Sequence, residues 1–139
     1  MSIPDSLRWQ VIERAGNRCE YCGLSQEGQE AVFHIDHIHP VSLGGVTALE
    51  NLALACVSCS LRKSARVSAA DPLTGDAAPL FHPQRDRWNL HFRWNVCELV
   101  GVSATGRATV SALSMNRPIA VSIRREEALR GRHPPPGQL

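Results

Sequence analysis

No apolar run in this 139-residue chain approaches the roughly 18 residues that a membrane helix needs, so no membrane partner is expected. The opening Met1-Ser2-Ile3-Pro4-Asp5 lacks a basic stretch followed by an apolar one, the mark of a secretory leader, and a reducing cytoplasm is the expected setting. Lysine is almost missing: of 15 basic side chains only Lys63 is a lysine. Arginine suits bidentate contact with phosphate, although a high-GC genome produces the same bias without functional meaning. A large net charge is missing too. At a formal +2 the chain is no polycation, so nucleic-acid binding would have to come from a local surface. One stretch lacks acidic residues altogether: none occurs between Glu50 and Asp71, while Arg62, Lys63 and Arg66 fall inside it. No internal repeat is evident.

What is present is the composition of a globular protein, 43% hydrophobic and 20% charged, of a size that buries a modest core and gains from a structural metal. The pattern predicts a core over residues 1–70, an extension over 71–133, holding a hairpin and two helices and packed on that core, and a disordered tail over 134–139. Pro4 to Ala15 reads as a helix with Leu7, Val11, Ile12 and Ala15 on one face and Gly16 ending it. Ala31 to Ile38 and Asn51 to Ala55 read as strands, and Val57 to Val67 as a helix. Beyond a turn at Asp71-Pro72-Leu73-Thr74-Gly75, a loop carrying Pro79 and Pro83 leads to Trp88. His91–Asn95 and Leu99–Val102 read as a hairpin. Thr105 is placed to cap a helix through Leu113, and Pro118 to start a last helix ending near Gly131.

Two Cys-x-x-Cys pairs, Cys19/Cys22 and Cys56/Cys59, are the strongest signal. In a reducing compartment such pairs most often hold tetrahedral Zn²⁺ through four thiolates; two disulfides or a redox dithiol are the alternatives. Four thiolates leave no open coordination position, so this zinc would be structural. The 33 residues between the knuckles exceed a zinc-ribbon gap, which implies an insertion. Cys97 stands alone and reads as a small buried hydrophobe.

The insertion carries His34-Ile35-Asp36-His37-Ile38-His39-Pro40. Phosphodiester hydrolysis needs a water nucleophile, a base to deprotonate it, and positive charge on the phosphate and leaving oxygen. An imidazole can serve as the base near neutral pH, and a carboxylate can hold a hard divalent cation. An isolated Asp-His dipeptide is more often a surface pair or a buried hydrogen bond. As an ordered set, however, Cys19-x-x-Cys22, Ile35-Asp36-His37-Ile38-x-Pro40, Gly44-Gly45, Asn51-Leu52 and Cys56-x-x-Cys59-x-x-x-Lys63 resemble the HNH endonuclease family in its zinc-bound ββα-metal form. The resemblance covers roughly residues 5–67. The region 71–133 is similar to an extension carried by one bacterial branch of that family.

The resemblance implies an α+β fold, a ββα-metal core stapled by the four-cysteine zinc, with an α+β extension. It implies cleavage of DNA with a catalytic divalent cation such as Mg²⁺ or Mn²⁺. His37 would be the general base, Asp36 a ligand of the catalytic metal, and Asn51 the middle motif residue holding the loop and the base. Ser60 occupies the third motif position, normally a His or Asn that ligates the metal. His34, on the same strand face as Asp36, could assist as a ligand or support one. Arg62, Lys63 and Arg66, on a helix after the second knuckle, are expected to contact phosphate. Trp9, Trp88 and Trp94 read as core packing, and His39 as a solvated loop residue. The rival readings are a DNA-binding module of the same fold that has lost cutting, and a zinc-stapled protein-interaction domain. The sequence leaves oligomeric state and cleavage specificity open.

Overall fold

In the computed structural model, which describes residues 3–138, the chain forms two compact units divided between residues 65 and 66. The first contains a helix α1 (Asp5–Arg14), strands β1 (His34–His37) and β2 (Leu52–Ala55), and helix α2 (Val57–Lys63). The strands pair antiparallel, with His34 opposite Ala55, Asp36 opposite Ala53 and His37 opposite Leu52. The result is an α+β unit whose ββα order is that of the HNH fold.

Why β2 forms is visible in Leu-Ala-Leu-Ala: two branched side chains and two methyls let both faces be covered, and all four residues are buried. Helix α1 packs on β2 through the fully buried Val11. Position 9 of that helix points about 200° away from Leu7, so Trp9, expected in the core, is 68% exposed. Arg14, in the last turn, sends its guanidinium to the Leu49 carbonyl (2.7 Å) and the Leu52 carbonyl (2.6 Å), and the amide of Glu20 donates to the Leu54 carbonyl (2.7 Å).

Strand β1 is shorter than the apolar pattern suggests. The amide of Phe33 donates to the Gln26 side-chain oxygen (2.7 Å), which removes it from the ladder. Helix α2 also stops early, after Lys63, because Ser64 takes a left-handed φ of 51°.

The second unit contains hairpin β3 (Ser68–Ala70) with β4 (Ala77–Pro79), a short helix α3 (Trp88–His91), hairpin β5 (Phe92–Asn95) with β6 (Glu98–Gly101), and helices α4 (Ala104–Ala112) and α5 (Pro118–Leu129). The first hairpin was not expected from its sequence. Its loop is fixed by Asp71, whose buried carboxylate receives both arms of Arg107 (2.9 and 2.8 Å) and the amide of Leu73 (3.0 Å). Hydrogen bonding from Arg107 and from the Leu73 amide holds the Asp71 carboxyl at a pKa of about 2, against burial that pushes the other way. Helix α4 is capped by Ser103, whose hydroxyl accepts from the Gly106 amide (2.9 Å), and not by Thr105, which lies inside the helix. Residues 134–138, expected to be disordered, lie against this unit: Pro135 is buried and the Trp94 indole N–H donates to Gln138 (3.2 Å). Among the described residues no helix is long and apolar enough to cross a membrane.

Candidate active site

Cys19, Cys22, Cys56 and Cys59 gather from the end of the α1 connection and the start of α2, with all four sulfurs within 4.8 Å of one another. Cys22 Sγ lies 3.8 Å from Cys56 Sγ. Tetrahedral zinc with Zn–S near 2.3 Å requires S···S separations of about 3.8 Å, so the cluster fits that ion. Each knuckle also turns an amide toward sulfur: Cys22 N–H to Cys19 Sγ and Cys59 N–H to Cys56 Sγ, both at 3.4 Å. The sulfurs strongly perturb one another. Hydrogen bonds from Cys19, Cys22 and Cys59 hold Cys56 far below the usual thiol range, burial pushes Cys19 up, and hydrogen bonding with Cys19 and its neighbours pushes Cys59 up. Only a cation lets all four become thiolates at once. Cys97 is buried and takes no part.

Next to the zinc cluster, Asp36, His37 and Ser60 line one open cleft of about 360 Å³, together with Pro40, Val41, Ser42, Ser64 and Ala65. Neighbouring strand residues ordinarily diverge. Here they share a wall because β1 ends at His37 and the chain turns at Pro40, while the first turn of α2 brings Ser60 across. His34 does not line this cleft; its Nδ1 is 2.8 Å from the Ser60 hydroxyl, so the serine in the third motif position is tied to a histidine from β1.

The loop from residue 39 to 47 is organised by Asn51. This buried amide donates to the carbonyls of His39 (3.0 Å) and Val46 (2.8 Å), and its oxygen accepts from the His39 amide (2.9 Å). Its backbone carbonyl accepts from the Ile38 amide (2.8 Å), extending the β1–β2 ladder. The two glycines answer different demands, backbone conformation at Gly44 and crowding at Gly45. Gly44 sits at φ 89°, and a Cβ on Gly45 would lie 1.8 Å from the His39 carbonyl oxygen. At the far end of this loop Thr47 places its hydroxyl 2.8 Å from His37 Nε2, a contact the sequence motifs do not announce. His39, as expected for a loop residue, is exposed, with Nε2 3.0 Å from the Leu43 carbonyl.

Of the three basic residues expected to face phosphate, Lys63 does not. It is 2% exposed and its ammonium donates to the Ile38 carbonyl (2.9 Å), anchoring α2 to the end of β1. A cation so placed cannot reach a phosphate outside. Arg62 and Arg66 are exposed; Arg62 Nε donates to Ser58 (3.2 Å) and Arg66 to the Ala112 carbonyl (3.0 Å).

Residues 19–66 match the family model of the HNH endonucleases. No curated protein and no solved structure matches the chain. That match and the four-cysteine cluster together support a nuclease or DNA-binding role in which zinc is structural.

Proposed function

We propose that this chain is a metal-dependent DNA endonuclease in which His37 is the general base and Asp36 holds the catalytic divalent cation. The observation that carries the reading is the shared cleft: imidazole, carboxylate and Ser60 converge on one open cavity beside the zinc cluster, within the segment matched to HNH endonucleases. In the reaction His37 takes a proton from a water molecule as its oxygen attacks phosphorus. The bond from phosphorus to the 3′ oxygen breaks, and that oxygen is protonated from solvent, leaving a 5′ phosphate and a 3′ hydroxyl. A Mg²⁺ or Mn²⁺ ion held by Asp36 supplies, when bound, positive charge on the phosphate and the leaving oxygen. Ser60, fixed by His34, would help hold the same ion, directly or through a water. Asn51 holds the loop that frames the base, while Arg62 and Arg66 contribute phosphate contacts.

A second reading, a DNA-binding module that no longer cuts, is favoured by one observation: the hydroxyl of Ser60 is already engaged by His34. Plasmid incubated with Mg²⁺ or Mn²⁺ separates the two. Nicked or linear product that EDTA abolishes and His37→Ala lacks supports the enzyme; a salt-sensitive gel shift without product supports the binder. Equal cutting by His37→Ala would overturn the assignment of the base.

A further inference from the structure

We propose that Thr47 is the positioning residue of the base, selecting the tautomer of His37 that leaves Nδ1 free to accept a proton from water. The inference rests on the endonuclease reading above for its catalytic meaning, but the pairing itself stands on geometry alone.

Three observations carry it. The Thr47 hydroxyl lies 2.8 Å from His37 Nε2, a full hydrogen bond between two half-buried groups, while Nδ1 has no partner among the described residues. Thr47 is absent from the wall of the cleft that His37 lines, so the hydroxyl holds the ring from behind the reacting face. And Thr47 is itself immobilised: Asn51 clamps the carbonyl of the preceding Val46, and Gly45, two residues earlier, is pressed on the His39 carbonyl with no room for a Cβ. The backbone of His37 is fixed independently, in register with Leu52 at the end of the β1–β2 ladder. Ladder and loop therefore set the ring's position and rotation together.

The chemistry follows from the two nitrogens of a neutral imidazole, one of which bears the proton while the other accepts. Which is which is set by the hydrogen bond that the outer nitrogen makes. With Nε2–H donating to the Thr47 oxygen, the lone pair of Nδ1 faces the cleft and can take the proton released by the attacking water. The imidazolium so formed keeps both partners, since both its nitrogens are donors, and returns the extra proton to solvent afterwards. A ring without this hold is free to turn and to share its proton between the two nitrogens, and a form whose Nδ1 carries the proton cannot act as a base.

The test has two arms. In the first, ¹⁵N spectra of the zinc-loaded parent protein, with His37 neutral, are expected to show the Nε2–H tautomer; a dominant Nδ1–H form would overturn the proposal. In the second, Thr47→Val, which keeps shape and removes the hydroxyl, is expected to lower kcat by about 10- to 100-fold, by analogy with the loss of the outer partner of a metal-bound imidazole. KM for DNA and Mn²⁺ affinity by calorimetry should be unchanged, and Thr47→Ser should restore kcat. Parental kcat in Thr47→Val, or an equal loss in Thr47→Ser, would refute the role. Should the parent cut no DNA at all, the endonuclease reading fails while the spectra still decide the pairing; should Thr47→Val not fold, the parent spectra and Thr47→Ser decide it.

Discussion

Replacing Asn51 by alanine removes three hydrogen bonds at one stroke: two from its amide to the His39 and Val46 carbonyls and one to its oxygen from the His39 amide. A net value of about 0.5–1.5 kcal/mol per bond gives a loss of about 1.5–4.5 kcal/mol. The groups left behind do not incur the full penalty of orphaned polar atoms, because His39 and Val46 are exposed and water can reach their backbones once the loop loosens. Since each 1.4 kcal/mol is a factor of ten, exchange of the β2 amides through opening of this unit should quicken roughly 10- to 1000-fold. Asn51→Asp sharpens the test. A carboxylate still accepts from the His39 amide but turns an oxygen toward two carbonyls, so at neutral pH it should destabilise at least as much as alanine. Hydrogen exchange followed on the zinc-loaded protein, with β5–β6 amides as an internal reference, reads this directly. Protection in Asn51→Asp equal to that of the parent would show that the amide donors do not hold the loop.

Further expectations concern other parts of the molecule. Stripping zinc with a strong chelator, or substituting Cys59→Ala, should unfold the first unit, seen as loss of β1–β2 amide protection, because four clustered thiolates, three of them buried, cannot coexist without a cation; survival of that protection would argue against a structural metal. Lys63→Met should cost about 1–3 kcal/mol by orphaning the Ile38 carbonyl yet leave the salt dependence of DNA retention unchanged, whereas Arg62→Ala should reduce that slope by about one. Asp71 titrates lower when folded, at about 2, than the roughly 3.9 of an unfolded chain, so its stabilisation is complete above about pH 4 and is lost as pH falls toward 2. An acid melt of Asp71→Asn should lack that component; an unchanged acid limb would discount the Arg107 pair.

Much of the first unit was legible because its chemistry is tied to spacing. Paired cysteines, the Asp-His step, the double glycine and Asn51 each answer a local geometric demand, and the helix begun by Pro118 or the hairpin around Val96 likewise announces itself. What escaped has a physical reason in each case. Ser68–Ala70 and Ala77–Pro79 carry no β-branched or aromatic residue, and their pairing is fixed by Asp71 and Arg107, 36 residues apart. Lys63 looked like any cation in a last helical turn; only the fold shows a carbonyl waiting for it in the interior. Ser103 and Thr105 are equally good caps on paper, and the choice between them is made where the chain leaves β6. Thr47 belongs to no chemical motif, and its meaning appears only once the loop folds back on the imidazole.

A two-stranded sheet has two free margins, and the outer one of β2 would ordinarily be an open template for another chain. Here its outward oxygens, those of Leu52 and Leu54, are already taken by Arg14 and by the Glu20 amide. A foreign strand therefore finds neither of these carbonyls free to accept its amides, which disfavours fibrous growth along that border.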